Sequence, residues 1–265
     1  MRAIKKKANT DSDENSEEAG KMSFLDHLDE LRKRLVRIAI YLAVGFVAGF
    51  YFSTDLYNFL AEPIKEEVLR VDGTLTFSNP TGAFITSMRM ALMASVFLTL
   101  PFTLFEVWKF ISPGLYRKEK KYVVPFILSA VVLFVSGAVF CYVVVLPNAY
   151  RFLIEWGEKF EGTKPFIRID EYLDITTTML LGFGFVFEMP VIVAFLSLFG
   201  LISAGFLWRN FKYSLVGMVT LAAVLSPTGD AFNLMLWSEP MVALYFISIA
   251  IAGIIGARRK KKGLV

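Results

Sequence analysis

Six apolar stretches constrain the fold of this chain more than any other feature of its sequence. A helix needs about 17–25 mostly apolar residues to cross a bilayer, so each stretch is a candidate membrane span. The fifth stretch is short, and so is the most apolar part of the sixth, Met241–Ala257. The sequence therefore predicts an all-α membrane protein with six transmembrane helices, the last two of them short. The predicted spans are 35–52, 90–108, 122–147, 175–202, 213–225 and 232–257.

Composition agrees with a membrane protein and excludes several kinds of site. Hydrophobic residues make up 55% of the 265 residues, whereas soluble domains contain about 45–50%. Cys141 is the only cysteine and His27 the only histidine, so neither an intramolecular disulfide nor a multi-histidine metal site can form. The sequence contains no phosphate-binding glycine loop and no serine-nucleophile motif. We expect no enzymatic activity, no metal, no cofactor and no nucleic-acid partner.

The positions of Lys and Arg predict the orientation in the membrane, because cytoplasmic loops are enriched in these residues. If the N-terminus is inside, the inner segments contain 21 of the 28 basic residues. An even number of spans then places both termini in the cytoplasm. The inner segments are 1–37, 109–121, 203–212 and 258–265.

The chain outside the spans divides into two tails and a single membrane domain. Residues 1–21 are polar and contain no apolar signal-peptide core, so we expect a disordered tail. Residues 258–265 are expected to form a basic cytoplasmic tail. Residues 22–257 are expected to form one six-span membrane domain.

Two outer loops have apolar residues at helical spacing. Residues 55–70 and 149–160 are therefore expected to form short amphipathic helices that cap the outer face. Pro63 is expected to interrupt the first of these helices, because proline removes a backbone donor and clashes with the preceding turn.

Glu188 is the only ionisable residue in the apolar stretch Ile175–Ile202. A carboxylate inside a bilayer is costly, so such a residue is a candidate functional site. Pro190 follows it closely and is expected to bend the helix near the acid. A structural alternative is a buried acid that a hydroxyl group within the helix bundle satisfies.

The first two inner segments each contain an acid among basic residues. Residues 23–35 combine an apolar stripe with charges, which is typical of an amphipathic helix that anchors at anionic lipid. Glu30 is not needed for such anchoring. Glu119 is the single acid among Arg117, Lys118, Lys120 and Lys121, and a local ion pair is its structural alternative.

Four motifs together resemble the TatC family, the multi-spanning receptor subunits of the twin-arginine protein translocase. The resemblance covers residues 22–257 in order. One departure is Phe105-Glu106, where the family usually has Tyr-Gln. The motifs are HLDELR (27–32), PFTLFEVWKFISPGLYRKEKK (101–121), FGFVFEMPV (183–191) and SPTGD (226–230).

The resemblance implies that the cytoplasmic face binds signal peptides with two consecutive arginines. A guanidinium group pairs bidentately with a carboxylate, which lysine cannot imitate. We therefore expect Glu30 and Glu119 to bind the twin arginines. Carried onto matching positions, the recognition patch is Leu28, Glu30, Leu31, Arg32, Phe110, Pro113 and Glu119.

The resemblance also implies a bacterial inner-membrane location, transport energised by the proton motive force, and assembly with small single-span subunits of the TatA/TatB type. Self-association in a multi-subunit complex is expected as well. Glu188 would lie on a concave, lipid-facing groove and contact a partner helix. Pro63 would shape the outer cap, and Asp230 would either serve the outer face or cap the sixth helix.

Two other interpretations remain at this stage. A proton-coupled small-molecule transporter could use Glu188, although such transporters usually show internal repeats, and none is visible here. A purely structural scaffold would need only the lipid-anchoring segments, and it would leave Glu30 and Glu119 without a role.

Overall fold

The structure is a computed structural model that describes residues 2–71, 73–77, 80–111, 123–157, 159–160, 166–226 and 230–261. Side chains are described from Leu25 onward within these ranges, except at positions 111, 260 and 261. Pro113 and Glu119 of the predicted patch lie outside the described residues.

The described part of the chain is almost entirely helical. A π-helical turn, Cys141–Val145, joins α4 to α5 without a break. The elements are α1 (Arg2–Tyr51), α2 (Ser53–Arg70), β1 (Thr74–Thr76), α3 (Gly82–Ile111), α4 (Val123–Phe140), α5 (Leu146–Gly157), β2 (Phe166–Arg168), α6 (Ile169–Phe187), α7 (Met189–Leu198), α8 (Ala204–Arg209), α9 (Phe211–Leu225) and α10 (Ala231–Lys261).

Five helical segments among the described residues are long and apolar enough to cross a membrane. The helix α9, with 15 residues, is the shorter sixth apolar helix that the sequence predicts. The six apolar helices are therefore confirmed. The long segments are Leu25–Tyr51, Gly82–Phe110, Val123–Gly157, Ile169–Leu198 and Ala231–Arg259.

Several boundaries differ from the predicted ones. The last span is not short, because α10 continues through Pro240 and into the basic C-terminal segment. The predicted cap helix at 149–160 is a continuation of the third span, because the π turn carries α4 directly into α5. The bounds of α1 include residues 2–21, whose side chains are not described, so disorder in this tail stays a prediction.

The helices α1 and α3 pack antiparallel along the length of both apolar segments. Ring contacts join His27 to Phe110 at one end, Tyr41 to Phe102 in the middle and Phe50 to Phe84 at the other end. Small residues permit this close contact. A Cβ atom built on Gly49 would lie 2.8 Å from the carbonyl oxygen of Ala91, so a larger residue there would push the helices apart.

The helices α4 and α6 pack equally closely at the centre of the molecule. A Cβ atom on Gly137 would lie 2.5 Å from the carbonyl oxygen of Phe183, and one on Gly184 would lie 2.7 Å from the ring of Phe134. The ring of Trp237 on α10 lies 4.3 Å from that of Phe183, and both side chains are fully buried. These residues form the core that joins α4, α6 and α10.

Side-chain contacts define two ends of the bundle. At the first, Trp108 of α3 packs on Phe126 of α4 and Phe195 of α7, and Arg259 of α10 donates to the carbonyl oxygen of Ser197. We call this the basic end, because the described parts of the predicted inner segments lie there. The opposite end, which we call the cap end, contains α2, β1, β2, α5 and the start of α10. Which end faces the cytoplasm stays a prediction.

The cap end contains a short parallel pairing that the sequence analysis missed. Strand β1 pairs with β2 in the register Thr74 with Phe166 and Thr76 with Arg168. Three-residue strands leave no alternating pattern long enough to recognise. The pairing ties the loop after α2 to the start of α6.

Pro63 does not interrupt α2, which continues from Ser53 to Arg70, so that expectation was wrong. Proline cannot donate to the carbonyl group four residues earlier, which here belongs to Phe59. The hydroxyl of Tyr142 donates to this oxygen at 2.7 Å, and the hydroxyl of Tyr172 donates to the next one, Leu60, at 2.8 Å. The bond from Tyr142 thus replaces the helix bond that the proline cannot make, and the two tyrosine bonds together attach α2 to the core.

Asp230 caps the first turn of α10. Its Oδ1 accepts a hydrogen bond from the backbone N–H of Asn233 at 2.8 Å, and its Oδ2 accepts one from the Asn233 side chain at 2.9 Å. An aspartate three residues before the bonded N–H is a typical N-cap. The helix-capping alternative for Asp230 is therefore confirmed.

We predict that Tyr142→Phe lowers the free energy of unfolding by about 1 kcal/mol, the usual net contribution of one hydrogen bond. The variant keeps the ring, which stacks on Phe59 at 4.6 Å, and removes only the donor to the α2 carbonyl. Chemical unfolding in detergent measures the change. Tyr51→Phe is the control, because Tyr51 is 82% exposed. Equal losses in the two variants would contradict this role of Tyr142.

We also predict that Asp230→Ala lowers the free energy of unfolding by about 1 kcal/mol, the typical cost of losing an N-cap. Asp230→Ser is expected to lose less, because a serine hydroxyl can accept the same bond from the N–H of Asn233. The two variants are compared in the same unfolding assay. A serine variant as unstable as the alanine variant would rule out capping as the contribution of this residue.

Candidate functional site

The start of the apolar part of α1 lies against the last turns of α3 at the basic end. The rings of His27 and Phe110 stack with their centroids 4.4 Å apart and their planes 16° apart. This contact brings two predicted parts of the patch together, the HLDELR motif on α1 and the end of α3. Leu28 and Arg32 are exposed there, while Glu30 and Leu31 are partly buried.

A cluster of four charged side chains joins α1 to α3 next to this stack. Arg34 donates to Glu30 through Nε at 3.1 Å and also through Nη2. Its Nη1 donates to Oε2 of Glu106 on α3 at 3.0 Å. Arg37 completes the cluster, with its Nη1 3.5 Å from the same Glu106 oxygen. Glu30, Arg34, Arg37 and Glu106 form what we call the arginine cluster.

Exposure increases from Glu106 through Arg34 to Glu30, and the Arg37 side chain is 54% exposed. The side chain of Glu106 is 4% exposed, that of Arg34 is 14% exposed and that of Glu30 is 33% exposed. Glu106 is therefore the buried carboxylate, and two guanidinium groups compensate its charge. Glu30 is the carboxylate that solvent or a ligand can reach.

The exposed surface of α1 beside the cluster forms a small open cavity of about 370 Å³, lined by Asp29, Arg32, Lys33, Val36 and Arg37. Asp29 and Lys33 form an ion pair across it at 2.6 Å. Both side chains are more than half exposed, so this pair contributes little to stability. The cavity is a charged surface next to Glu30.

Sequence reasoning missed the roles of Arg34 and Glu106. One signal was available for Arg34, because Glu30 and Arg34 are four residues apart and therefore share a helix face. Glu106 was noticed only as a departure from the family pattern. Its pairing with α1 depends on the packing of α1 on α3, which no local spacing reveals.

Glu188 occupies the break between α6 and α7, with φ −73° and ψ −13°. Pro190 lies in the first turn of α7. The expected bend at the acid is thus confirmed as an interruption of the helix. Oε1 of Glu188 is buried and has no hydrogen-bond partner among the described residues. The expectation that a hydroxyl of the bundle satisfies the acid has no support at this oxygen.

An open apolar groove of about 770 Å³ lies beneath α2, between α1, α3 and α4. Its lining includes Phe52, Leu56, Phe97 and Val139, and among the described residues Asp55 is the one charged side chain in it. The groove agrees with the expected concave face beneath an outer cap. Glu188 is not among the residues that line it.

The chain is similar to known proteins along most of its length. Residues 26–240 match the model of the family described as Sec-independent protein translocase protein (TatC). The chain is 42% identical over 250 residues to the Sec-independent protein translocase protein TatC of Koribacter versatilis, covering 93% of this chain and 91% of the relative. It is 36% identical to the protein of the same name from Desulforapulum autotrophicum, covering 92% of this chain and 89% of the relative.

Two solved structures also resemble this chain. A crystal structure described as twin arginine translocase receptor TatC has a TM-score of 0.77 at 31% identity, covering 86% of this chain and 99% of the solved one. A crystal structure of the receptor in the detergent DDM has a TM-score of 0.78 at 32% identity, covering 85% of this chain and 99% of the solved one. The matched family model, the identity over nearly the whole length and the shared fold lead to one conclusion: this chain belongs to the TatC family.

Proposed function

We propose that this chain is the receptor subunit of a twin-arginine translocation system, and that its basic end binds signal peptides with two consecutive arginines. One observation carries the proposal. The carboxylate of Glu30 is accessible, and it already accepts hydrogen bonds from two nitrogen atoms of the Arg34 guanidinium group. This carboxylate therefore has the position and the access to accept a guanidinium from a ligand. Similar solved structures described as twin arginine translocase receptors support the same role.

Arginine selectivity follows from the geometry of the guanidinium group. Its planar, forked donors can bond both oxygens of one carboxylate, while the ammonium group of lysine is a compact point charge. Glu30 and Glu119 would each accept one of the two arginines. Glu119 is beyond the described residues, but Phe110, which precedes its loop, is fixed against α1 by the stack on His27.

The remaining patch residues would bind the peptide around the arginine pair. Leu28 and Leu31 offer apolar surface on α1, and Phe110 offers it at the facing end of α3. Pro113, beyond the described residues, would add to this surface. Arg32 is exposed on the same helix and would limit the approach of further cationic groups. Because exposed ion pairs contribute only about 0–1 kcal/mol each, tight binding would also need contacts to the apolar part of the signal peptide.

Family membership and the apolar helices make this a multi-pass protein of the bacterial inner membrane. Its family is a component of a protein translocase, not a known class of enzyme. We propose the orientation with the basic end and both termini in the cytoplasm, since cytoplasmic segments are rich in Lys and Arg. The proton motive force would supply the energy, and the comparisons give no support to a small-molecule transporter.

Single-span subunits of the TatA/TatB type are the proposed partners, with further copies of this chain in the same complex. Glu188 is the proposed contact for a partner helix. The buried Oε1 without a hydrogen-bond partner among the described residues supports this, because a polar group on a partner helix could satisfy it. The proposed contribution of Pro63 and Asp230 to function is to shape the cap end.

We predict that Glu30→Ala combined with Glu119→Ala weakens binding of a twin-arginine precursor by about tenfold or more, equivalent to about 1.4 kcal/mol. Membranes containing the full chain and its partner subunits are titrated with labelled precursor.

Asp29→Ala is the matched control, because Asp29 is an exposed acid on the same helix that is paired with Lys33. It should retain wild-type affinity. Normal precursor binding by the double variant would contradict the proposed function.

A further inference from the structure

The arginine cluster contains one more carboxylate than recognition of a ligand at Glu30 requires. Glu106 lies on α3, is 3% exposed as a residue, and is not accessible to a peptide. It stands where the family usually has glutamine, so it is a feature of this chain that the resemblance does not explain. Its described partners are Arg34 and Arg37, both on α1.

Bidentate binding at Glu30 requires an exchange of partners. Both bonds from Arg34 go to Oε1 of Glu30, so an incoming guanidinium that bonds both oxygens of this carboxylate must displace Arg34 from Oε1. The Arg34 side chain is only 14% exposed, so water cannot fully replace the carboxylate that it would lose. A buried charge left without a counter-charge is strongly unfavourable. The exchange therefore depends on what else binds Arg34.

Glu106 provides the second partner. Nη1 of Arg34 bonds Glu106 at 3.0 Å, while Nε and Nη2 bond Glu30, so different nitrogens serve the two acids. Arg34 can release Glu30 and keep its bond to Glu106. The net charge of the cluster supports this role of Glu106, because its two acids and two arginines sum to zero. A neutral residue at position 106 would give the cluster a net positive charge, which would repel an incoming cation.

We propose that Glu106 is a positioning residue that retains Arg34 on α3 and thereby frees Glu30 for an incoming guanidinium. Glu106 itself touches no ligand. Arg34 occupies Glu30 when no ligand is bound and withdraws toward Glu106 when a ligand arrives. This inference rests on the proposed function, because it concerns the same site.

The test measures the affinity of a fluorescent twin-arginine signal peptide for the full chain in lipid nanodiscs. Glu106→Gln is expected to weaken binding about fivefold, because Arg34 then depends on Glu30 alone. Glu106→Asp, which keeps the charge, is expected to lose less. Glu106→Gln combined with Arg34→Gln is expected to recover affinity relative to Glu106→Gln, because the competitor for Glu30 is gone.

Recovery in the double variant distinguishes positioning from a purely structural role, since removing a second member of a structural ion cluster should only add damage. Unfolding midpoints of all variants are recorded alongside. Wild-type affinity in Glu106→Gln, or a double variant no better than Glu106→Gln, would overturn the role of Glu106 while leaving the proposed function intact. A wild-type protein that binds twin-lysine and twin-arginine peptides equally would overturn both.

Discussion

The close antiparallel contact between α1 and α3 is the interaction on which the candidate site depends. Gly49 permits that contact, because a side chain there would collide with the backbone of Ala91. Among the described residues α1 packs mainly on α3, so α3 is the surface that positions this helix. The same contact places Glu30 and Arg34 opposite Glu106. A wider separation of the two helices would expose the Glu106 carboxylate and remove the guanidinium bridge.

At the cap end, the structure depends on hydrogen bonds to the backbone of α2 beside Pro63. Backbone groups within an apolar environment must have hydrogen-bond partners, and a proline in a helix leaves one carbonyl without its usual donor. Tyr142 on the π turn and Tyr172 on α6 donate to carbonyl groups of α2 beside Pro63. The proline thus leaves the Phe59 carbonyl as an acceptor for Tyr142, and the bond from Tyr172 to Leu60 adds a second attachment of the cap helix. The apolar groove beneath α2 depends on that attachment.

The main lines of the fold were predictable from the sequence because long apolar stretches have few other solutions. The break at Glu188 was predictable for the same kind of reason, since Pro190 acts locally on the helix. Contacts between distant segments were not predictable. The continuity of α2 through Pro63 depends on a hydroxyl 79 positions later in the chain. The pairing of Arg34 with Glu106 joins residues that are 72 positions apart.

Cross-linking most directly tests the central claim that the basic end binds twin arginines through Glu30 and Glu119. A photoreactive residue is introduced at position 28 or 118 of the full chain in membranes, close in sequence to Glu30 and Glu119, so that both carboxylates stay in place. A twin-arginine precursor is then compared with a twin-lysine precursor. The account predicts adducts from both positions with the arginine precursor alone. Equal labelling of the two precursors, or no labelling from either position, would contradict it and leave these segments with lipid anchoring as their role.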